Sequence, residues 1–242
     1  MKSFTLFFVF VCSLSFSQKN TPAEKVDSVA YYSNLANSNK TENKYRNALY
    51  YTQKAINFCK EHHKTHAQSD QTFCLGKLYF QVKKYEEAIK AFDKSISLSN
   101  VLELSPELAS SFYHLGLCYM QKKDFPKAKS SFDKAQSLYN NLKISHTIDL
   151  LNLQKGIIHK STGNIDLAAR IFSTIVAKPD SPGILDTKAE ALYQIGIIEM
   201  AHNRNNLALN YFNKALDLNA KNKNLEQKAE ILLALSTVHE KM

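Results

Sequence analysis

Three histidines form the densest group of potential metal ligands in the sequence: His62, His63 and His66. Residues four positions apart share one face of a helix, so His62 and His66 together could bind a transition metal. The segment falls between two helical regions, however, and offers no cysteine or further carboxylate at ligand spacing. A solvated connection between helices explains the histidines better, and we expect no metal site.

The cysteines give little sign of redox or nucleophilic chemistry. Apart from Cys12 in the N-terminal apolar segment, the chain contains Cys59, Cys74 and Cys118, and an odd number argues against a disulfide framework. Cys74 and Cys118 fall in predicted helices, where a thiol is usually a small buried apolar group. A Cys59–Cys74 disulfide remains an alternative in an oxidising compartment.

Motifs of known enzymes are also missing from the sequence. It contains no glycine-rich phosphate loop, no serine-nucleophile motif, no metalloprotease motif and no paired acids in a glycine-rich setting. We therefore expect a protein that is not an enzyme and that requires no cofactor.

A repeat of 40 residues organises the chain. Three sets of residues keep this step: Gly76, Gly116, Gly156 and Gly196; Ala48, Ala88, Ala128, Ala168 and Ala208; and Phe92, Phe132, Phe172 and Phe212. Within each half of the period, apolar positions recur every three or four residues, which is the spacing of one helical face. A fixed period of this size is typical of stacked two-helix units, and we predict an all-α chain.

The repeated glycines predict close contact between the two helices of each unit. Glycine inside a helix costs roughly 1 kcal/mol relative to alanine, so its use at four equivalent positions needs compensation. Backbones that approach closely would provide it, with the repeated phenylalanines filling the space toward the next unit.

The charge of the chain is moderately basic, with a net charge of +9 at pH 7. Lysines recur at one equivalent position of the repeat, namely Lys54, Lys94, Lys134 and Lys214. A lysine repeated on the outer face of a helix indicates a solvated surface rather than a stripe for nucleic acid, so we expect no nucleic-acid partner.

Residues 1–17 have the composition of a secretory signal peptide. Lys2 gives a positive start, Phe4 to Leu14 are mainly apolar, and Ser15-Phe16-Ser17 forms a small-x-small cleavage site. The apolar run is shorter than the roughly 20 residues that a transmembrane helix needs. Lipidation of Cys12 is an alternative, but the small residue expected before it is missing. We predict export to the periplasm or cell envelope, with no membrane span in the mature segment.

The repeat resembles the tetratricopeptide repeat family. The resemblance depends on Leu75-Gly76…Tyr79 and Leu115-Gly116…Tyr119, followed in the second helix by Phe125, Ala128, Phe132 and Ala135. The family's common period is about 34 residues. A period of 40 is more similar to the long-helix repeats of kinesin light chains and bacterial signalling regulators. The resemblance implies a right-handed superhelical solenoid of antiparallel helix hairpins, with about five and a half repeats.

The solenoid is predicted to occupy residues 18–242. Its units are expected near residues 22–62, 66–102, 106–142, 146–180 and 185–222, with a partial sixth unit at 225–242. The first unit is the least regular, because Thr52 replaces the repeated phenylalanine, as suits a capping repeat. The last helix is either a natural cap or the start of further units in a longer protein.

In the resembled family the first helices line a concave groove. The equivalent positions in this chain are Phe73, Lys77, Phe80, Tyr113, Leu117, Met120, Leu153, Ile157, Lys160, Tyr193, Ile197 and Met200. Such a groove would suit an apolar or amphipathic segment of a protein or peptide. The alternative is that long helices bury part of this surface. A clamp for a terminal carboxylate is not expected, because only Asn37, with Ser33 before it, resembles that pattern.

The resemblance therefore implies a non-enzymatic scaffold that binds a protein or peptide in the cell envelope. Our leading hypothesis is the sensory input segment of a membrane-linked signalling regulator. The alternative is a free-standing periplasmic factor that assembles an envelope complex. Homo-oligomer formation is left open.

Overall fold

The computed structural model describes residues 28–99, 105–144, 146–181, 183–222 and 224–242. The predicted signal peptide lies outside these residues. The described helices are α1 (Ser28–Thr41), α2 (Tyr45–Glu61), α3 (Thr65–Gln81), α4 (Tyr85–Ser99), α5 (Pro106–Gln121), α6 (Phe125–Asn141), α7 (His146–Ser161), α8 (Ile165–Val176), α9 (Leu185–Ala201), α10 (Asn205–Asn222) and α11 (Leu225–Glu240). No strand occurs among the residues that the structure describes.

The helices form antiparallel hairpins that stack along the chain. Each helix packs against the next one in sequence, and first helices of neighbouring hairpins also meet, as α3 with α5, α7 with α9 and α9 with α11. The prediction of an all-α solenoid of helix hairpins is confirmed.

The turns explain the length of the period. Turns of three residues connect helices within hairpins and also connect α2 to α3, and their middle residues adopt the left-handed conformation, as Lys83 (φ 60°) and His63 (φ 53°) show. At Lys83 the backbone N–H donates to the Phe80 carbonyl at 2.9 Å, which closes the end of α3. Helices of 17 residues such as α2 and α3, each followed by a three-residue turn, produce the step of 40.

Several helices begin where the sequence places a capping residue. The Ser105 side chain accepts a hydrogen bond from the Leu108 N–H at 3.1 Å, with Pro106 at the first helical position. The Asp124 carboxylate accepts from the Lys127 N–H at 3.2 Å at the start of α6. These caps determine where α5 and α6 begin, and therefore the register of the third hairpin.

The repeated glycines face the repeated phenylalanines across each hairpin. A Cβ built on Gly116 would lie 2.6 Å from the Phe132 ring, and one on Gly196 would lie 2.5 Å from the Phe212 ring. The same holds for the two other pairs, and all four phenylalanines are fully buried. The predicted close contact is confirmed, because no side chain larger than hydrogen fits opposite each ring.

The phenylalanines also join neighbouring hairpins. Phe132 belongs to one buried cluster with Leu151 and Ile158 of the next hairpin. Phe92 shares a cluster with Leu115 and Cys118 in the same way. The apolar core is thus continuous along the stack, and each unit is stabilised mainly by its neighbours.

Buried serines hold α3, α4 and α5 together by hydrogen bonds. The hydroxyls of Ser69 and Ser99 lie 2.7 Å apart, and the hydroxyls of Ser95 and Ser111 lie 3.2 Å apart. Ser69 also donates to the Ser95 carbonyl at 3.1 Å. Each buried hydroxyl therefore has a partner, and the network determines the relative positions of the two first helices, α3 and α5.

Candidate ligand-binding cavity in the first three hairpins

A cavity of about 350 Å³ opens between the first helices of the first three hairpins. Its walls come from α1, α2, α3 and α5. The lining residues are Ser33, Ala36, Asn37, Lys40, Thr52, Gln71, Cys74, Lys77, Leu78, Phe80, Gln81, His114 and Leu117. Clefts of this volume are of the size that accommodates a small ligand or several side chains of a peptide.

The cavity lies where the first hairpin departs from the repeat. Thr52 occupies the position of the repeated phenylalanine, and Ala36 occupies the position of the repeated glycine. Thr52 is buried and its Oγ1 donates to the Ala48 carbonyl at 2.8 Å, so the hydroxyl is satisfied within α2. A threonine fills much less space than a phenyl ring. We infer that the missing ring leaves the volume that the cavity occupies.

The walls combine an apolar surface with cationic and neutral polar groups. Leu78, Phe80 and Leu117 supply apolar surface, while Lys40 and Lys77 supply ammonium groups. Lys77 places its Nζ 4.7 Å from the centre of the Phe73 ring, a cation–π contact. Within the described residues, neither ammonium has a carboxylate at ion-pair distance. The cavity can therefore accept an apolar group that carries a negative charge.

His114 contributes a neutral imidazole to the wall. Its ring packs against Phe73 and Phe92, with centroids at 5.2 and 5.5 Å. Burial lowers the pKa of His114, which favours the uncharged ring. Nδ1 lies 2.8 Å from the Ser110 carbonyl, and a carbonyl can only accept, so Nδ1 carries the proton. The remaining nitrogen, Nε2, is then a hydrogen-bond acceptor.

Three of the sequence-predicted groove residues meet in this cavity: Lys77, Phe80 and Leu117. Met120, Ile157, Ile197 and Met200 are partly buried and pack against the core clusters of their own hairpins. The structure therefore brings together the predicted residues of α3 and α5, and it leaves those of α7 and α9 outside the cavity.

The aromatic groove positions are packed against the core. The rings of Phe73, Tyr113 and Tyr193 lie 5.8, 5.7 and 5.7 Å from the phenylalanine of their own hairpin. Burial raises the pKa of Tyr113, in keeping with a largely enclosed phenol. Leu153 is the one correction: only 2% of its surface is exposed, in a cluster with Phe172. Leucine is too short to extend past that ring, so it offers no surface to a ligand.

Hydrogen bonds between side chains occupy the later part of the predicted groove. Lys160 donates to the Gln194 amide oxygen, and Gln194 donates to Glu190 at 2.7 Å. Burial lowers the pKa of Lys160, with an opposing effect from Glu190. These polar groups already have polar protein partners, whereas the contact described for the Lys77 ammonium is with the Phe73 ring.

Several lining residues were not among the predicted site residues. Ala36, Lys40, Thr52, Cys74 and His114 line the cavity, and none of them occupies a predicted groove position. The sequence did carry a signal for them, namely the absence of phenylalanine at Thr52. That departure predicts a capping repeat, and in the structure it coincides with an open volume.

The histidine group shows no arrangement suited to a metal ion. The His62 ring stacks on Phe58 at 3.8 Å, and His66 contacts Asp70 at 3.2 Å. No set of three or more histidine, cysteine, aspartate or glutamate residues in the described ranges is placed to hold a metal. Cys59, Cys74 and Cys118 are thiols and form no disulfide with one another.

The Cys118 thiol is predicted to be chemically inert in the folded protein. Burial raises its pKa to about 12 from 9.0. The thiolate fraction at pH 8 is then far below that of an ordinary thiol, and we expect alkylation by iodoacetamide to slow by at least about 10-fold. Mass spectrometry of timed alkylation reactions would measure this rate. Denaturant should restore the ordinary rate, and fast alkylation of the folded chain would contradict the burial.

Sequence models of the tetratricopeptide repeat match residues 68–141 and residues 189–222. No curated protein sequence matches the chain. BtubC from P. vanneervenii is structurally similar, with 18% identity over 81% of each chain and a TM-score of 0.67. A kinesin light chain-like repeat protein from Podosopora anserina has 11% identity, covers 81% of this chain and 97% of its own, and has a TM-score of 0.64.

The apo form of the quorum sensor NprR from B. thuringiensis is also similar. It shares 13% identity, with 88% of this chain and 58% of that chain covered and a TM-score of 0.70. This chain therefore spans little more than half the length of NprR. At these identities the likeness establishes the fold alone.

Fold and cavity together define an all-α repeat solenoid of the class that serves as a protein-binding scaffold. The two sequence matches identify tetratricopeptide repeats at residues 68–141 and 189–222, and the stacked hairpins agree with that repeat. None of the helices in the described residues combines the length and apolar character required to cross a bilayer.

Proposed function

We propose that the chain is a non-catalytic scaffold that binds an apolar or amphipathic segment of a partner protein in the cavity between α1, α3 and α5. The observation that carries this proposal is the cavity itself, which exists where the phenylalanine–glycine pair is absent. Its apolar walls suit aliphatic or aromatic side chains. Lys40 and Lys77 add a preference for an acidic group beside them, because a carboxylate would pair with ammonium groups that have no such partner.

The proposed setting is the cell envelope, with the chain acting as the input segment of a membrane-linked signalling regulator. The signal-peptide composition of residues 1–17 supports export. The fold is shared with a protein described as a quorum sensor, which supports a role in signalling. Fractionation of the native host, with detection of the chain by antibody, would test the location. Recovery from the cytoplasm with residues 1–17 still attached would contradict export.

The binding proposal predicts that restoring the regular repeat closes the site. A double substitution, Ala36→Gly with Thr52→Phe, should place a ring in the cavity as in the other hairpins. We expect the melting temperature to stay equal or rise, since a cavity is filled, while partner binding falls at least 10-fold. Crosslinking pull-down from the native envelope, with quantitative mass spectrometry, would measure the recovery of each partner.

A second variant tests the same cavity by changing a residue of its wall rather than by filling its volume. Leu117→Asp should place a carboxylate in the apolar wall and also reduce recovery of the same partner. Leu207→Asp is the matched control, because Leu207 is an exposed leucine on α10 outside the cavity. An unchanged partner list for both the filled cavity and Leu117→Asp, with normal melting, would refute the cavity as the binding site.

A further inference from the structure

Helix α11 exposes a row of leucines on the side that faces away from the stack. Leu225 is 78% exposed, Leu232 is 46% exposed and Leu233 is 70% exposed. The opposite side of the helix is buried, with Ile231 and Val238 packed in one cluster with Phe212. One face of α11 is therefore used within the protein, whereas the other is apolar and open to solvent.

The repeat identifies what covers this face in a complete hairpin. Leu192 and Tyr193 on α9 lie 40 positions before Leu232 and Leu233, and Gly196 lies 40 positions before Ser236. Leu192 shares a buried cluster with Phe212 of α10, the Tyr193 ring lies 5.7 Å from the Phe212 ring, and Gly196 faces the same ring. The Tyr193 and Gly196 contacts are made with the antiparallel second helix, α10. The exposed leucines of α11 thus occupy the surface on which a second helix packs.

Helix α1, at the opposite end of the stack, differs from α11 in the residues at equivalent positions. Asn34 and Ser38 are exposed on α1, and the equivalent positions on α11 are Ala234 and Val238, which are buried. Polar residues thus replace apolar ones at these two positions of α1, whereas Tyr31, at the position of Ile231, is an exposed aromatic residue. On α11 the outward positions are still leucine. Exposed apolar patches of this kind mark interaction sites in soluble proteins.

Acidic residues follow one edge of the exposed face. Glu226, Glu230 and Glu240 lie on the same side of α11 as Leu233, at helical spacing. Burial, with the nearby Glu190 and Glu226 carboxylates, raises the pKa of Glu230, and a cation placed beside these carboxylates would relieve their mutual repulsion. A helix that packs here would gain from basic residues along the adjoining edge.

We propose that this face of α11 is a docking surface for an amphipathic helix of a partner protein, which lies antiparallel to α11 and presents basic residues to the glutamate edge. The interaxial distance would be about 8–10 Å, as for other packed helices. The surface is separate from the cavity between α1, α3 and α5, so the proposal does not depend on the function proposed for that site.

Ser236 limits the size of the side chain that the docked helix can place opposite it. Ser236 occupies the glycine position, 40 residues after Gly196. A Cβ at Gly196 would lie 2.5 Å from the Phe212 ring, so the Cβ of Ser236 excludes a phenylalanine there. The partner helix therefore carries a small residue, such as alanine, where the second helices of this protein carry phenylalanine.

Two synthetic peptides test this surface. One has the sequence of α6, residues 125–141, which is amphipathic and contains Lys127, Lys129 and Lys134. The other carries Phe132→Ala in the same sequence. Fluorescence anisotropy with the full chain should show at least 10-fold tighter binding of the alanine peptide. Ser236→Gly should reverse this preference, because the glycine again admits a ring.

Surface variants complete the experiment. Leu233→Asp should weaken binding of the alanine peptide at least 10-fold, Glu226→Lys should weaken it several-fold, and Leu207→Asp should leave it unchanged. The proposal is overturned if neither peptide binds below millimolar concentration, or if binding survives Leu233→Asp in a chain that melts normally. It is equally overturned if light scattering shows a dimer that Leu233→Asp dissociates, because a second copy would then occupy the surface.

Discussion

A Gly116→Leu variant is expected to melt roughly 6–12 °C below the wild-type protein. The glycine leaves no room for a side chain, since a Cβ alone would lie 2.6 Å from the Phe132 ring. Phe132 is fully buried, so the ring cannot move into solvent, and the two helices of the third hairpin must separate. Overpacking of this severity costs about 3 kcal/mol or more, and each kcal/mol lowers Tm by roughly 2–4 °C at this chain length.

Two further variants make the Gly116 measurement specific. Gly183→Leu is the matched control, because among the described residues nothing beyond its chain neighbours lies within 4 Å of a Cβ built there, and we expect little change in its melting. In the double variant Gly116→Leu with Phe132→Ala, removal of the ring should recover part of the lost stability. Differential scanning calorimetry would compare the four proteins. Wild-type melting of Gly116→Leu would contradict the packing described for the hairpins that carry the glycine–phenylalanine pair.

Removal of the ring in the fourth hairpin is expected to have a similarly large effect. Phe172 is fully buried in a cluster with Ile175 of its own helix and Ile195 of the next hairpin. Phe172→Ala should cost about 3–5 kcal/mol, because both transfer energy and contact with two hairpins are lost. Phe172→Leu retains most of the volume and should cost clearly less.

The helices that Phe172→Ala destabilises will show whether the hairpins unfold as separate units or as one global core. Each hairpin of a repeat array contacts only its neighbours, so the damage from Phe172→Ala should concentrate in α7 to α10. Hydrogen exchange followed by mass spectrometry should show accelerated exchange there, while α3 and α4 remain close to wild type. A uniform increase along the whole chain would mean that the array unfolds as a single cooperative unit.

Much of the architecture could be predicted because the repeat is strict. The spacing of Gly116 and Phe132 recurs in four hairpins, and each occurrence reinforces the same assignment. Helix starts at Ser105 and Asp124 were likewise readable, because a cap depends on residues within one turn. The all-α class and the hairpin stack follow from such local and periodic information.

The candidate site was only partly predictable, because exposure depends on the volumes of neighbouring side chains. Leu153 and Tyr113 occupy equivalent repeat positions, and both pack against the ring of their own hairpin. The shorter leucine is enclosed completely, whereas the tyrosine extends further. Thr52 was recognised as a departure from the repeat, but its consequence depends on α3 and α5, which are distant in sequence.

By itself the sequence determined the period, the helices, their pairing into hairpins and the residues that pack between them, since each is encoded by local propensity or by a repeated spacing. The tertiary structure decided where volume remains unfilled and which apolar faces stay uncovered. The cavity beside Thr52 and the open face of α11 arise from side chains that are absent at positions where other hairpins supply them. Such absences acquire meaning only when the surrounding helices are in place, because an unfilled volume is a property of all its walls together.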